Sequence, residues 1–404
     1  MSRTAFLHPF ARPLADEFLC LVRGDGALVY DDAGREYVDA MASLWFCAAG
    51  HGRTEIADAV GTQLRTLAAF HSFDRFTNLP AEQLCQRLVE LAPMPDARVF
   101  LTSSGSEAID SALKIVRAAR AVGGEPHRQR VVTVEGAYHG VTYGGLALGG
   151  LPMNQEHFGA MVPDVVQVPR NDAAAVAAVL AEAGDQVAAV LVEPVLGAGG
   201  VHPPDEGYLA ELRRLCDAAG AWLVLDEVIS GFGRLGSLWG AQRYGVEPDA
   251  VVFAKAVTSG YVPLGGVLVG RAVRERLEAD PLFVLRHGHT FSGHPGACAA
   301  ALANLEVLDR EQLMERVPEL GAKLSGGLRE LVADGLVDSV RGEGAVWAVG
   351  LHEGADATEV HSAMIADGVI ARPLGPSTVA FCPPYVLTDS QLDRILTALR
   401  RALR

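Results

Sequence analysis

The sequence predicts an α/β protein: a large domain built on a mainly parallel sheet, with a smaller α+β domain assembled from both chain ends. Three observations lead there. From about residue 98 short, wholly apolar runs alternate with helix-forming stretches, and these runs end in polar residues. The C-terminal part changes character, with helical stretches followed by short strand-like segments. A chain of 404 residues is too long for one ordinary core, yet its composition never shifts abruptly. The large domain is therefore placed at 51–304, and the smaller one at 1–50 with 305–404.

RVFLTS (98–103), VVTVE (131–135), AAVLVE (188–193), WLVLDE (222–227) and AVVFAK (250–255) read as fully buried strands. Apolar runs of this length without alternation suit a sheet covered on both faces. Between the first two, Ile109, Ala112, Leu113 and Val116 recur at helical spacing, and 172–183 and 207–219 are further helix formers. Beyond them come helical stretches near 296–332 and strand-like VWAVGL (346–351) and STVAFCPP (377–384). A closing helix is announced by Thr388 and Gln391, a capping box ahead of Leu392, Ile395, Leu396 and Leu399.

Composition narrows the function. Half the residues are apolar and 21% are charged, enough for a well-buried core. A formal charge of −15, with no basic run, makes nucleic acid a poor partner. The six cysteines are scattered, without a CxxC pair or a nearby His at ligand spacing, so reduced thiols and no metal site are expected. Residues 1–20 contain Asp16 and Glu17 and no apolar h-region, and no stretch has the length of a membrane span. A cytoplasmic enzyme is the expectation.

In open α/β sheets ligands bind outside the carboxyl ends of the strands. The unusual residues fall there: Ser103 to Ser106, Tyr138 and His139, Glu193, Asp226 and Lys255. Each has a bland reading. SGSEA can be a plain helix cap, an Asp closing a strand can be an ion-pair partner, and a single Lys is usually solvated. Together they ask for more, because Asp226 and Lys255 end runs so apolar that an unpaired charge would be costly. Pyridoxal 5'-phosphate would satisfy the whole set. Lys255 would form the imine, Asp226 would pair with the protonated ring nitrogen, and Tyr138 would stack on the ring. Ser104, Gly105 and Ser106, at a helix N-terminus, would hold the phosphate.

These residues sit in a longer series: SLWFCAAGHG (43–52), TSSGSEAIDSALKIVR (102–117), YHGVTYGGLALGG (138–150), EPVLGAGG (193–200), DEVISGFGR (226–234), FAKAVTSGYVPLGG (253–266), HTFSGHPGACAAA (289–301) and RPLGPSTVAFCPP (372–384). In this order they resemble the class III aminotransferases of the aspartate-aminotransferase superfamily, along almost the whole chain. The resemblance implies a pyridoxal-phosphate fold type I homodimer with active sites at the subunit interface. It implies Lys255 as the Schiff-base lysine and proton shuttle, Asp226 as the pyridinium partner, and Val228 on the ring face opposite Tyr138. It implies Thr290 reaching the phosphate of the neighbouring subunit and Glu193 near the ring hydroxyl. Arg372 would bind a substrate carboxylate, and Trp45 would line the substrate pocket. Two half-reactions are implied, with an amino donor and a keto-acid acceptor.

Departures narrow the branch. Ala198 stands where a Glu serves the ornithine and 4-aminobutyrate branches, and Val141 where the branch that uses S-adenosylmethionine has Asp. DEVI followed by GFGR, and YHG followed by LGG, look closer to amine or ω-amino-acid:pyruvate aminotransferases. Leu235 departs from the more usual Thr. A same-fold aminomutase, racemase or decarboxylating aminotransferase would share the cofactor contacts. A silent scaffold would not need Lys255, Asp226 and the phosphate motif together.

Overall fold

The computed structural model describes residues 4–404. Its main sheet has seven strands, in spatial order Arg98–Thr102, Gly265–Val269, Ala250–Phe253, Trp222–Asp226, Val187–Val192, Arg130–Val134 and Val165–Val168. Only Gly265–Val269 runs against its neighbours. All five expected strands are present, each ending a residue or two before the predicted limit. Alternate residues along them serve different cores. Leu223, Leu225, Val251 and Phe253 face one apolar cluster, while Trp222, Val224, Ala250 and Val252 face the other. Burial on both sides is why these runs carry no polar alternation.

Two strands escape the sequence pattern. Val165–Val168 is a four-residue edge strand, only partly buried. Gly265–Val269 opens with two glycines that do not look like strand formers, and the packing explains them. A Cβ at Gly265 would stand 2.6 Å from the carbonyl oxygen of Ser104, and one at Gly266 would stand 2.6 Å from that of Phe100.

Helix Gly105–Val122 buries Ile109, Ala112, Leu113 and Val116 against one face of the sheet. Tyr208–Ala219 buries Leu209, Leu212 and Cys216 against the other. The smaller domain has two sheets. Leu21–Asp25, Leu28–Asp31 and Glu36–Asp39 are joined by Val369–Ile370 through a parallel pairing of Val369 with Val38, which brings the two chain ends together. Ser339–Glu343, Val346–Gly350, Thr378–Phe381 and Arg372–Leu374 form an antiparallel sheet. The last helix, Asp389–Ala402, starts with the expected capping box. Residue 304 lies inside helix Pro295–Arg310, which packs on Thr54–Thr66 and Leu79–Glu90. Among the described residues no helix is long and apolar enough to cross a membrane, and no cluster of His, Cys, Asp or Glu could hold a metal.

Candidate active site

At the carboxyl edge of the large sheet lies a cavity of about 420 Å³. Ser104, Gly105, Ser106, Tyr138, His139, Glu193, Asp226, Val228 and Lys255 all line it, although they come from five separate strand ends.

Ser104 is a helix cap that also lines the cavity. Its hydroxyl accepts from the Glu107 N–H at 3.2 Å, capping helix Gly105–Val122. The N–H groups of Gly105 and Ser106 meet no protein acceptor among the described residues, so two donors at the positive end of an 18-residue helix face the cavity. A side chain at Gly105 would press on Val228, its Cβ 3.2 Å from Val228 Cγ1. At Gly140, with φ +88°, a Cβ would stand 2.1 Å from Ser106 Oγ. Glycine at both positions lets backbone and ligand approach closely.

Asp226 closes strand Trp222–Asp226 and is almost fully buried. His139 Nδ1 donates to its Oδ2 at 2.7 Å, and the Val228 N–H donates to Oδ1 at 3.0 Å. Burial opposes charge on His139, but the hydrogen bond and charge of Asp226 outweigh it, so the imidazole is held above its ordinary pKa. Glu193 accepts from the Tyr138 N–H at 3.1 Å and the Gly197 N–H at 2.8 Å. Burial pushes its carboxyl upward, and the nearby Asp226 charge adds to that.

Lys255 follows strand Ala250–Phe253 with φ +50°, a backbone region rarely used outside glycine. That twist turns the side chain into the cavity, where its amine has no hydrogen-bond partner among the described residues. Burial lowers its pKa against the opposing pull of Asp226 and Glu193.

Three expected residues lie outside the cavity lining. Thr290 is exposed on the segment between strand Gly265–Val269 and helix Pro295–Arg310. Arg372 starts strand Arg372–Leu374, close enough to Tyr138 and Lys255 to influence both electrostatically. Trp45 is 3% exposed and packs in a core cluster with Met41, Val195 and Val346, so it does not line the pocket in this chain. Phe46 does. Three non-glycine residues, Ala42, Ser43 and Trp45, take positive φ and twist this turn. No sequence pattern announces such a twist. Thr258, Gly260 and Val262, also in the lining, lie within the 253–266 motif, which gave them no individual role.

Unpaired amides at a helix end, an unpartnered amine and a buried carboxylate on one wall fit a phosphate, an aldehyde and a ring nitrogen in a single molecule. Pyridoxal phosphate carries these three groups. The comparisons agree. The class-III aminotransferase family model matches residues 10–403. An acetylornithine aminotransferase of Mycolicibacterium smegmatis is 38% identical over 386 residues, covering 95% of this chain and 93% of that protein. A putrescine–pyruvate aminotransferase of Pseudomonas aeruginosa is 34% identical over 412 residues, covering 95% and 90%. The crystal structure of an amine transaminase from an uncultivated Pseudomonas species, in its pyridoxal-phosphate-bound form, superposes with a TM-score of 0.94 at 32% identity, covering 100% and 99%. Site chemistry, fold and a match along nearly the whole sequence converge: the chain belongs to the class-III aminotransferases, enzymes that work with pyridoxal phosphate.

Proposed function

We propose that this aminotransferase takes an amino group from an amine or ω-amino acid and delivers it to a keto acid such as pyruvate, in two half-reactions with ping-pong kinetics. Arg372 carries this reading. Its guanidinium is partly buried near Tyr138 and has no carboxylate partner among the described residues. Burial lowers its pKa, so a charge left alone there is unfavourable. A keto acid's carboxylate supplies the missing partner in the planar, two-point geometry that guanidinium favours. The P. aeruginosa relative bears pyruvate in its name.

When bound, pyridoxal phosphate supplies an aldehyde to receive the donor's nitrogen and a ring to accept the electrons left when the donor loses its proton. The chain does the rest. Gly105 and Ser106 hold the phosphate, Tyr138 and Val228 confine the ring, and Glu193 supports it near the ring hydroxyl. Asp226, backed by His139, keeps a proton on the ring nitrogen. Lys255 Nζ carries the proton between donor carbon and cofactor. Trp45 acts from behind, in the same apolar cluster as Ile229, which lines the cavity.

Thr290 belongs, in this reading, to the site of a partner subunit. Exposed apolar side chains on three segments support a homodimer: Phe6, Leu7 and Phe10; Phe70, Phe73 and Phe76; Leu282, Val284 and Phe291. The same reading keeps 51–304 as the cofactor-carrying domain, with Arg372 delivered from the smaller one.

A simple amine added to the holoenzyme should convert the cofactor's aldehyde absorbance to that of its amine form, and pyruvate should restore it. S-adenosylmethionine should fail as donor. A protein whose cofactor no donor aminates in a broad screen would end the proposal.

A further inference from the structure

A small cavity of about 20 Å³ is lined by Arg170, Asn171, Glu193, His202 and Tyr208 among others. It has room for a water-sized species and little more. Glu193 also lines the catalytic cavity, so the two spaces are neighbours.

Two donors on its wall lack acceptors. Tyr208 is 8% exposed, and its hydroxyl is buried with no hydrogen-bond partner among the described residues. Burial, with the Asp172 charge adding to it, pushes that phenol up to about 12, so the hydroxyl keeps its proton and remains a donor. A buried O–H without an acceptor is unfavourable. The backbone of His202 is fixed by a reciprocal pair of hydrogen bonds with Leu196, at 2.8 and 3.0 Å. Burial, and then the charges of Arg341 and Arg170, push the imidazole down to about 4, so at neutral pH it offers an uncharged ring N–H.

Positive charge gathers around this ring, although the chain as a whole carries −15. Arg170 follows strand Val165–Val168 and is exposed, while Arg341 comes from strand Ser339–Glu343 of the smaller domain. Arg341 Nε donates to the Gly200 carbonyl at 2.8 Å and its Nη2 to Thr378 Oγ1 at 2.9 Å. Burial and the Arg170 charge both lower its pKa, and no carboxylate of the described residues pairs with it. At Gly200, with φ +127°, a Cβ would stand 2.8 Å from His202 Nε2 and 3.5 Å from Arg341 Nη2, so glycine keeps the space between these nitrogens open. The acidic groups nearby are engaged elsewhere. Both carboxylate oxygens of Glu193 accept backbone N–H groups, and Asp172 Oδ1 caps helix Ala173–Ala183 by accepting from the Ala175 N–H at 2.8 Å.

We propose that this cavity binds a monovalent halide ion, held by the Tyr208 hydroxyl and the His202 ring N–H, with Arg170 and Arg341 supplying the opposing charge. Donors and cations converge there with no anion among them, which is the complement of an anionic ligand. The volume is too small for a phosphate or a carboxylic acid, which leaves an ion close to water in size. Bound there, the ion ties the loop 193–202, which carries Glu193, to the smaller domain through Arg341. The site is independent of the substrate reading above.

The test is a melting-temperature titration of the holoenzyme with sodium chloride, sodium gluconate holding the ionic strength constant so that screening is the same throughout. Chloride should act along a saturating curve, as does any ligand that binds only the folded state. A response to chloride that does not saturate would overturn the proposal and leave the cavity to water. Tyr208→Phe removes the unpartnered hydroxyl and little else, and Arg170→Gln removes a charge from an exposed side chain. Each should weaken chloride binding by about tenfold or more, the scale of a lost hydrogen bond or charge contact to an ion. General effects of salt on the protein surface are common to wild type and variants and cancel between them. A chloride response unchanged in both variants would place the ion elsewhere, at Arg372 for instance, and overturn the proposal. In crystals of the holoenzyme soaked in sodium bromide, the anomalous signal of bromine should lie in this cavity. An empty cavity there overturns it as well, and a peak without a saturating response in solution means an adventitious ion only, with the same consequence.

Discussion

The two edges of the large sheet both bury charge, but they treat it differently. At the amino edge Arg120 is 3% exposed and gripped from several sides. It donates to the carbonyls of Ala188 at 2.9 Å and Gly220 at 2.7 Å, pairs with Glu125 at 2.9 Å, and lies 3.6 Å above the Trp222 ring. Only its Nε lacks a partner. At the carboxyl edge Lys255 lines the cavity and Arg372 lies near it, and neither has a carboxylate partner in hydrogen-bonding reach among the described residues. A buried charge that the fold has neutralised is structural. One that the fold leaves open is waiting for a ligand. Arg234 lies between these cases, with no carboxylate partner among the described residues but with the Ala345 and Pro383 carbonyls and the Tyr385 ring around it.

Substitutions can break this contrast. Lys255→Ala removes nucleophile and proton carrier together, so steady-state transamination should fall by at least about 10⁴-fold while cofactor still binds through phosphate and ring contacts. Near-normal turnover would refute the assigned role. Asp226→Asn keeps the shape but not the charge. Proton abstraction in single turnover should slow by about 10²-fold or more, with donor binding nearly unchanged. An unaltered abstraction rate would move Asp226 away from the ring.

Arg372→Ala sharpens the contrast by separating the half-reactions. The step with pyruvate should lose about 2–5 kcal/mol, the range for truncating one partner of a buried charged pair. Cofactor amination by an amine lacking a carboxylate should change little. Equal losses in both steps, with a lower melting temperature, would make Arg372 a structural residue like Arg120. Arg120→Ala should show the opposite pattern. Stability should drop by about 3 kcal/mol, read by denaturant unfolding of the holoenzyme, with kcat/KM retained. A catalytic defect without destabilisation would abolish the distinction between the edges.

The carboxyl edge was legible because its residues break a strong local rule. A lysine or aspartate at the end of a wholly apolar strand is conspicuous, and topology then gathers all such ends on one side. What stayed hidden depends on backbone direction. Gly265 and Gly266 are glycines because Ser104 and Phe100 leave no room for side chains in strand Gly265–Val269, a constraint residing in another part of the chain. Trp45 and Phe46 are adjacent large aromatics in a turn with positive φ at Ala42, Ser43 and Trp45, and of the two Phe46 lines the cavity. Periodicity carries no information about such a reversal. Ala198 and Val141 could be read for the branches they depart from, yet neither appears in the cavity lining.

The left-handed backbone at Lys255 sets chain durability against chemistry. A lysine with φ +50° sits in a conformation that glycine adopts freely, at a cost of about 1–3 kcal/mol carried by the surrounding fold. Lys255→Gly should therefore melt above Lys255→Ala when both are compared without cofactor, despite glycine's larger unfolded-state entropy. Stabilisation campaigns judged on melting temperature alone would drift toward glycine at this position and erase the reaction. Screens of this enzyme for robustness need an activity gate at every round.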